Sequence, residues 1–128
     1  MIFGIGTDIV EIKRIEDIAS LDKFASKILS KNEKDFYNSL TDTKRIRYIS
    51  KQFAAKEAIS KALGTGISSD AQFKNIEILR DDQGAPVFNA LNKLENAMSL
   101  LGITKTHVSL ADERNYAIAI AVLEKWII

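Results

Sequence analysis

The period of the apolar residues changes several times along this chain, and each change marks an element. Ile2–Ile5 and Ile9–Ile12 are apolar runs interrupted by glycines, which predicts a first strand running into a helix around Ile12–Ala19. Asp8 then falls near the exit of that strand. Ser30-Lys31-Asn32-Glu33 is a capping-box sequence and predicts a short helix over 31–39. From about Thr43 to Leu63 there is no glycine or proline, helix formers dominate, and Gly64 stands where a helix C-cap belongs. Phe73–Arg80 and Ala85–Phe88 flank Asp81-Asp82-Gln83-Gly84 in the manner of a β-hairpin, with Pro86 making the second strand short or an edge. Ala90, Leu91, Leu94, Ala97, Met98 and Leu101 recur at helical spacing and stop at Gly102. Thr104–Leu110 and Tyr116–Leu123 complete the pattern as two antiparallel strands joined by Asp112-Glu113-Arg114-Asn115. In the last strand Ala117, Ala119 and Ala121 alternate with Ile118, Ile120 and Val122, so neither face is polar and both call for a cover. The expectation assigns the protein's own helices to the large-residue face and another subunit to the alanine face. The whole reads as one α+β domain over residues 1–128, an antiparallel sheet packed with a long central helix.

Composition narrows the chemistry. The chain has no cysteine and a single histidine, which excludes disulfides, thiolate metal sites, a cysteine nucleophile and any three-histidine zinc site within one chain. Carboxylates, Lys, Arg, hydroxyls, His107 and a hard cation held by oxygen are left. The N-terminus lacks a basic region and carries Asp8 and Glu11, so neither a signal peptide nor a membrane span is expected, and a cytoplasmic location follows. Eighteen basic residues against 17 acidic give a net charge of +1, yet charge is segregated. Between Lys44 and Lys61 six basic residues (Lys44, Arg45, Arg47, Lys51, Lys56 and Lys61) meet only Glu57. Such a helix suits a phosphate-rich ligand or an acidic protein. Nucleic acid is not expected, because no recognised fingerprint or aromatic platform accompanies the patch.

At 100° per residue, Glu57 lies in the apolar stripe of Ile46, Ile49, Phe53 and Ser60, with Lys61 one turn beyond it. Two readings stand: an i, i+4 ion pair, or a carboxylate turned inward whose desolvation is offset by a cation. Asp8, after Gly6-Thr7, is either a helix cap or Asx-turn or the second carboxylate of a divalent-cation site. Gly4-x-Gly6 lacks the third glycine of a dinucleotide fingerprint, and no phosphate-binding P-loop occurs. Gly64-Thr65-Gly66 reads as a helix stop, with an approach to a ligand as the other possibility.

Gly4-Ile5-Gly6-Thr7-Asp8-Ile9-Val10-Glu11, the stretch Phe53-Ala54-Ala55-Lys56-Glu57-Ala58-Ile59-Ser60-Lys61-Ala62-Leu63-Gly64-Thr65-Gly66-Ile67, Gly84-x-Pro86 and the run from His107 to Ala117 together resemble the holo-acyl-carrier-protein synthase family, in order and spacing, over nearly the whole chain. The resemblance implies a magnesium-dependent transferase that moves 4'-phosphopantetheine from coenzyme A to a serine of acyl carrier protein, for fatty acid biosynthesis, and releases adenosine 3',5'-bisphosphate. It implies a homotrimer with active sites between subunits. Asp8 and Glu57 match the family's metal ligands, with Glu57 also the leading base. Lys61 matches the phosphate-contacting lysine, Ser60, Gly64, Pro86 and His107 match positions near coenzyme A, and Arg14 matches the arginine that meets the carrier protein. Gln52 stands where many members carry a basic residue, so one ligand or surface contact is expected to be missing. Ala111-Asp112 replaces a hydroxyl-His pair of some members, and no catalysis is assigned there. Two competing classes remain: a non-enzymatic module docking an acidic partner through the basic helix, and a phosphate-ester hydrolase at the same metal site.

Overall fold

The computed structural model describes residues 1–126. The expected first strand is β1 (Ile2–Glu11), ten residues long, with an irregularity in its pairing between Ile2 and Gly4. It leads directly into the short helix α1 (Ile12–Glu16), whose first amide donates to the carbonyl of Asn115. Helix α2 (Leu21–Ile28), which the apolar pattern did not predict, begins at Ser20, whose side chain accepts from the amide of Lys23. Helix α3 (Lys31–Asn38) has the capping box, with Ser30 and Glu33 exchanging side chain-to-backbone hydrogen bonds. The central helix α4 (Asp42–Leu63) runs 22 residues and ends at Gly64 with φ of 84°, the left-handed conformation that glycine adopts without a Cβ penalty.

A 3₁₀ turn at Phe73–Asn75 opens the hairpin of β2 (Ile76–Arg80) and β3 (Pro86–Ala90), a separate two-stranded sheet. Asp81 accepts from the amides of Gln83 and Ala85 and closes its turn. Helix α5 (Lys93–Leu101) starts later than the apolar spacing predicts, because Ala90 is spent on β3, where it pairs with Ile76. Strands β4 (Ile103–Asp112) and β5 (Tyr116–Lys125) join β1 in an antiparallel sheet ordered β1-β5-β4, so the last strand in sequence is the middle one in space.

That sheet packs on α4, and the expected orientation of β5 is reversed. Ala117, Ala119 and Ala121 are buried beneath the helix, whereas Ile118 and Ile120 face outward, 46% and 43% exposed. The reason is distance. Gly4 and Gly6 of β1 come so close to α4 that a Cβ on either would lie 1.9 Å from the carbonyl oxygen of Ala62 or 1.8 Å from that of Ala58. A seam this tight admits only glycine and alanine, so the bulky side chains turn away. The core continues through Ile49, Ile59, Ile76, Ile78, Leu94 and Leu123. No described helix is long and apolar enough to cross a membrane.

Candidate active site

The glycine seam sets the site. Two residues of strand rise about 6.6 Å and four of helix about 6 Å, so β1 and α4 stay in step: Gly4 meets Ala62 and Gly6 meets Ala58. The next inward position of the strand is Asp8, and it arrives beside Glu57 and Lys61. Lys61 Nζ lies 3.0 Å from Asp8 Oδ1 and also donates to the carbonyl of Thr7 at 3.1 Å. The i, i+4 pairing of Lys61 with Glu57 that helical spacing suggests is thus replaced by one between elements, in which Asp8 is the closer partner.

Asp8, Glu57 and Arg14 line one pocket of about 340 Å³ with Ile9, Val10, Ile15, Ile18, Phe24 and Phe53. Its apolar wall is fixed by aromatic packing, Phe53 lying 5.6 Å between ring centroids from both Phe24 and Phe73. Burial, and then the charge of Asp8, push the Glu57 carboxyl above its usual range, and Lys61 opposes the shift without cancelling it. Two carboxylates with one partly exposed lysine, which pairs with Asp8, are deficient in positive charge. Their hard oxygens fit a hard divalent cation. Among the described residues no group of three or more His, Asp or Glu that could hold a metal ion is found.

The other predicted site residues are distributed differently. Ser60 is fully buried on α4, its hydroxyl donating to the carbonyl of Glu57. Gly64 caps the same helix. Pro86 opens β3 opposite Arg80, and His107 stands on the outward face of β4, 2.6 Å from Glu124. Neither Pro86 nor His107 lines the Asp8–Glu57 pocket. Ser60 lies on α4 with Glu57 and Lys61, but its hydroxyl is already engaged.

The basic helix does not form one solvated face. Lys56 has no exposed surface and pairs with Glu33 at 2.7 Å. Arg45 donates to the carbonyls of Tyr37 and Asn38 and lies over the Tyr37 ring. Arg47 and Lys51 both reach Asp112, which gives the Ala111-Asp112 departure a structural role. Gln52 is likewise no missing surface contact: it is completely buried, donating to Glu33 and to the carbonyl of Ile78 while accepting from Arg80. Sequence reasoning missed Glu33 as the acceptor that gathers these groups, since only its capping role is local.

The family model of the 4'-phosphopantetheinyl transferase superfamily matches residues 4–121. A holo-[acyl-carrier-protein] synthase of Shewanella denitrificans is 46% identical over 125 residues, 96% of this chain and 98% of that protein. Among solved structures, the holo-[acyl-carrier-protein] synthase of Neisseria meningitidis superposes with a TM-score of 0.89 at 37% identity, covering 98% of this chain and 100% of the other. That of Bacillus anthracis, in complex with CoA (3',5'-ADP), gives 0.84 at 37% identity, covering 98% and 99%.

Proposed function

The chain belongs to the 4'-phosphopantetheinyl transferase superfamily, and from that membership we infer that it transfers 4'-phosphopantetheine from coenzyme A to a serine of apo acyl carrier protein. The products are holo carrier protein and adenosine 3',5'-bisphosphate, and the setting is fatty acid biosynthesis in the cytoplasm. The observation that carries the reading to this chain's own residues is the placement of Asp8 and Glu57 on one pocket at the seam between β1 and α4, with Lys61 3.0 Å from Asp8.

Asp8 and Glu57 would hold magnesium, which when bound supplies charge withdrawal from the pyrophosphate of coenzyme A. Lys61, already turned toward Asp8 with half its side chain exposed, offers its ammonium to the phosphate oxygens and neutralises charge gathering on the departing bisphosphate. Glu57, directly or through one water, accepts the proton of the attacking carrier serine. Arg14, exposed at the mouth of the pocket, meets the acidic carrier protein and orients its serine. Gly64 gives coenzyme A a close approach to the end of α4, and Ser60, buried with its hydroxyl on the Glu57 carbonyl, acts there only by shaping that turn of the helix.

Pro86 and His107 complete that binding from a neighbouring subunit of a homotrimer. The support is the outward face of the β1-β5-β4 sheet, where Ile5, Ile9, Tyr116, Ile118 and Ile120 remain 57%, 62%, 43%, 46% and 43% exposed. The register makes them contiguous, Ile9 opposite Ile118 and Ile5 opposite Val122. An apolar patch of this kind marks a protein interface. His107 pairs with Val122 on the same face, so it would stand at the subunit boundary.

Intact-mass measurement of apo carrier protein after incubation with coenzyme A and magnesium tests the reading. A phosphopantetheine increment that disappears with chelator is expected. No increment on any of several carrier proteins would overturn it.

A further inference from the structure

Lys56 and Glu33 form a charged pair with no exposed surface on either side chain. The ammonium fills its three donor positions outside its own helix, on Glu33 Oε1 at 2.7 Å, the Phe73 carbonyl at 2.8 Å and the Ile76 carbonyl. Glu33 is equally complete. Its Oε1 accepts from the Ser30 amide as well, and its Oε2 accepts from Gln52 and from the Ile78 amide at 3.0 Å. One carboxylate thereby ties the start of α3, the strand β2 and two positions of α4. With every donor and acceptor site occupied, neither residue has capacity for a substrate.

A buried pair of this kind is weak support for stability, because apolar side chains of similar volume hold a fold together as well. What it does supply is register. If α4 turned or slid by one position, a charge would be left unpaired in the interior, so only one placement of the helix satisfies the cluster. Lys56 directly precedes Glu57. The opposite face of α4 is set against β1 by the Gly6–Ala58 contact, one residue after Glu57.

We propose that Lys56 and Glu33 are positioning residues for the transfer reaction, clamping α4 from the β2 side so that Glu57 is held at the spacing from Asp8 that a divalent cation requires. The proposal rests on the reading of Asp8 and Glu57 as metal ligands. Neither side chain hydrogen-bonds Asp8 or Glu57, so the effect is carried by the placement of α4; groups that do bond a metal's ligands change affinity or activity by about 10–100-fold when removed, and the lower end of that range is expected here.

The test compares the wild type with Glu33→Gln, Lys56→Met and the double variant, which removes both charges together and leaves no buried ion unpaired. Three quantities are read: the midpoint of thermal unfolding, the affinity for manganese in calorimetric titration without substrate, and kcat and KM for transfer. The expected result is a double variant that regains most of the unfolding midpoint lost by the single ones, yet binds manganese about tenfold or more weakly and loses kcat with little change in KM for coenzyme A. A double variant with wild-type manganese affinity and kcat would overturn the proposal and leave the pair a matter of stability alone. If wild type itself binds no manganese, or binds it unchanged after Asp8→Ala, the metal-ligand reading fails instead.

Discussion

Two lysines on one helix, five positions apart, live in opposite circumstances. Lys56 is dry, has three acceptors, and faces a carboxylate whose own capacity is full. Lys61 is half-exposed and faces two carboxylates, one of which it pairs with and the other of which it only partly relieves. The first cluster is balanced and has no room for a ligand. The second is short of positive charge and opens on a pocket. Where charges are complete the helix is being held, and where they are incomplete the helix is holding something.

That contrast can be attacked at either end. The largest effect on stability is expected from Glu33→Ala, which strands Lys56 in the interior. Breaking a buried pair by removing one partner costs about 3–5 kcal/mol, read as a drop in unfolding free energy by denaturant titration. A loss below about 1 kcal/mol, the scale of an exposed pair, would mean that the cluster is not a unit. At the other end, Asp8→Ala and Glu57→Gln should each reduce transfer by at least about 100-fold, since even outer partners of a metal matter by about 10–100-fold. Both should leave the fold intact, and near-normal turnover at ordinary magnesium would remove them from the metal role.

The same carboxylate gives a prediction of opposite sign for stability. Glu57 titrates higher in the folded chain than in the unfolded one, so its favourable contribution is present at low pH and is lost as pH rises through the folded value. Without metal, Glu57→Gln should therefore unfold at a higher temperature than wild type at neutral pH, and the gap should close on acidification. Gly6→Ala falls between the two clusters. Its Cβ has no room against the Ala58 carbonyl, and overpacking of this kind costs about 1–3 kcal/mol, occasionally more. The displaced seam should cut activity as well, measured beside the unfolding curve. Smallest of all, Asp112→Asn removes partly exposed pairs with Arg47 and Lys51 and should change stability by less than about 1 kcal/mol.

Much of the fold is legible in the sequence because its signals are local. The Ser30–Glu33 box, the Gly64 and Gly102 stops and the Asp81-to-Gly84 turn each act within a few residues, and each appears in the structure. Helix α2 carries a local signal too, Leu21, Phe24, Ala25 and Ile28 at helical spacing behind a Ser20 cap, but eight residues give that spacing little more than two turns in which to stand out. The orientation of β5 cannot be read from β5. An alternation of alanine with isoleucine does not say which face lies inward, and the deciding residues, Gly4 and Gly6, sit on another strand more than a hundred positions away. The site divides in the same way. Family resemblance points to Asp8, Glu57 and Lys61, while Lys56, Gln52 and Arg47 look like ordinary surface polar residues because their partners Glu33, Ile78 and Asp112 are distant in sequence.

The strand order has a consequence for how the molecule comes into being. The middle of the main sheet is its last strand, so β1 finds its partner only once Tyr116–Lys125 exists. Contacts that close so long a loop are slow to form. During synthesis β1, with Asp8 on it, waits through more than a hundred further residues before its edge is paired. A chain cut short before β5 carries β1, α4 and the hairpin, but lacks the strand that pairs with β1 and helps hold it against α4. Asp8 therefore sits on a strand whose sheet partner is made more than a hundred residues after it.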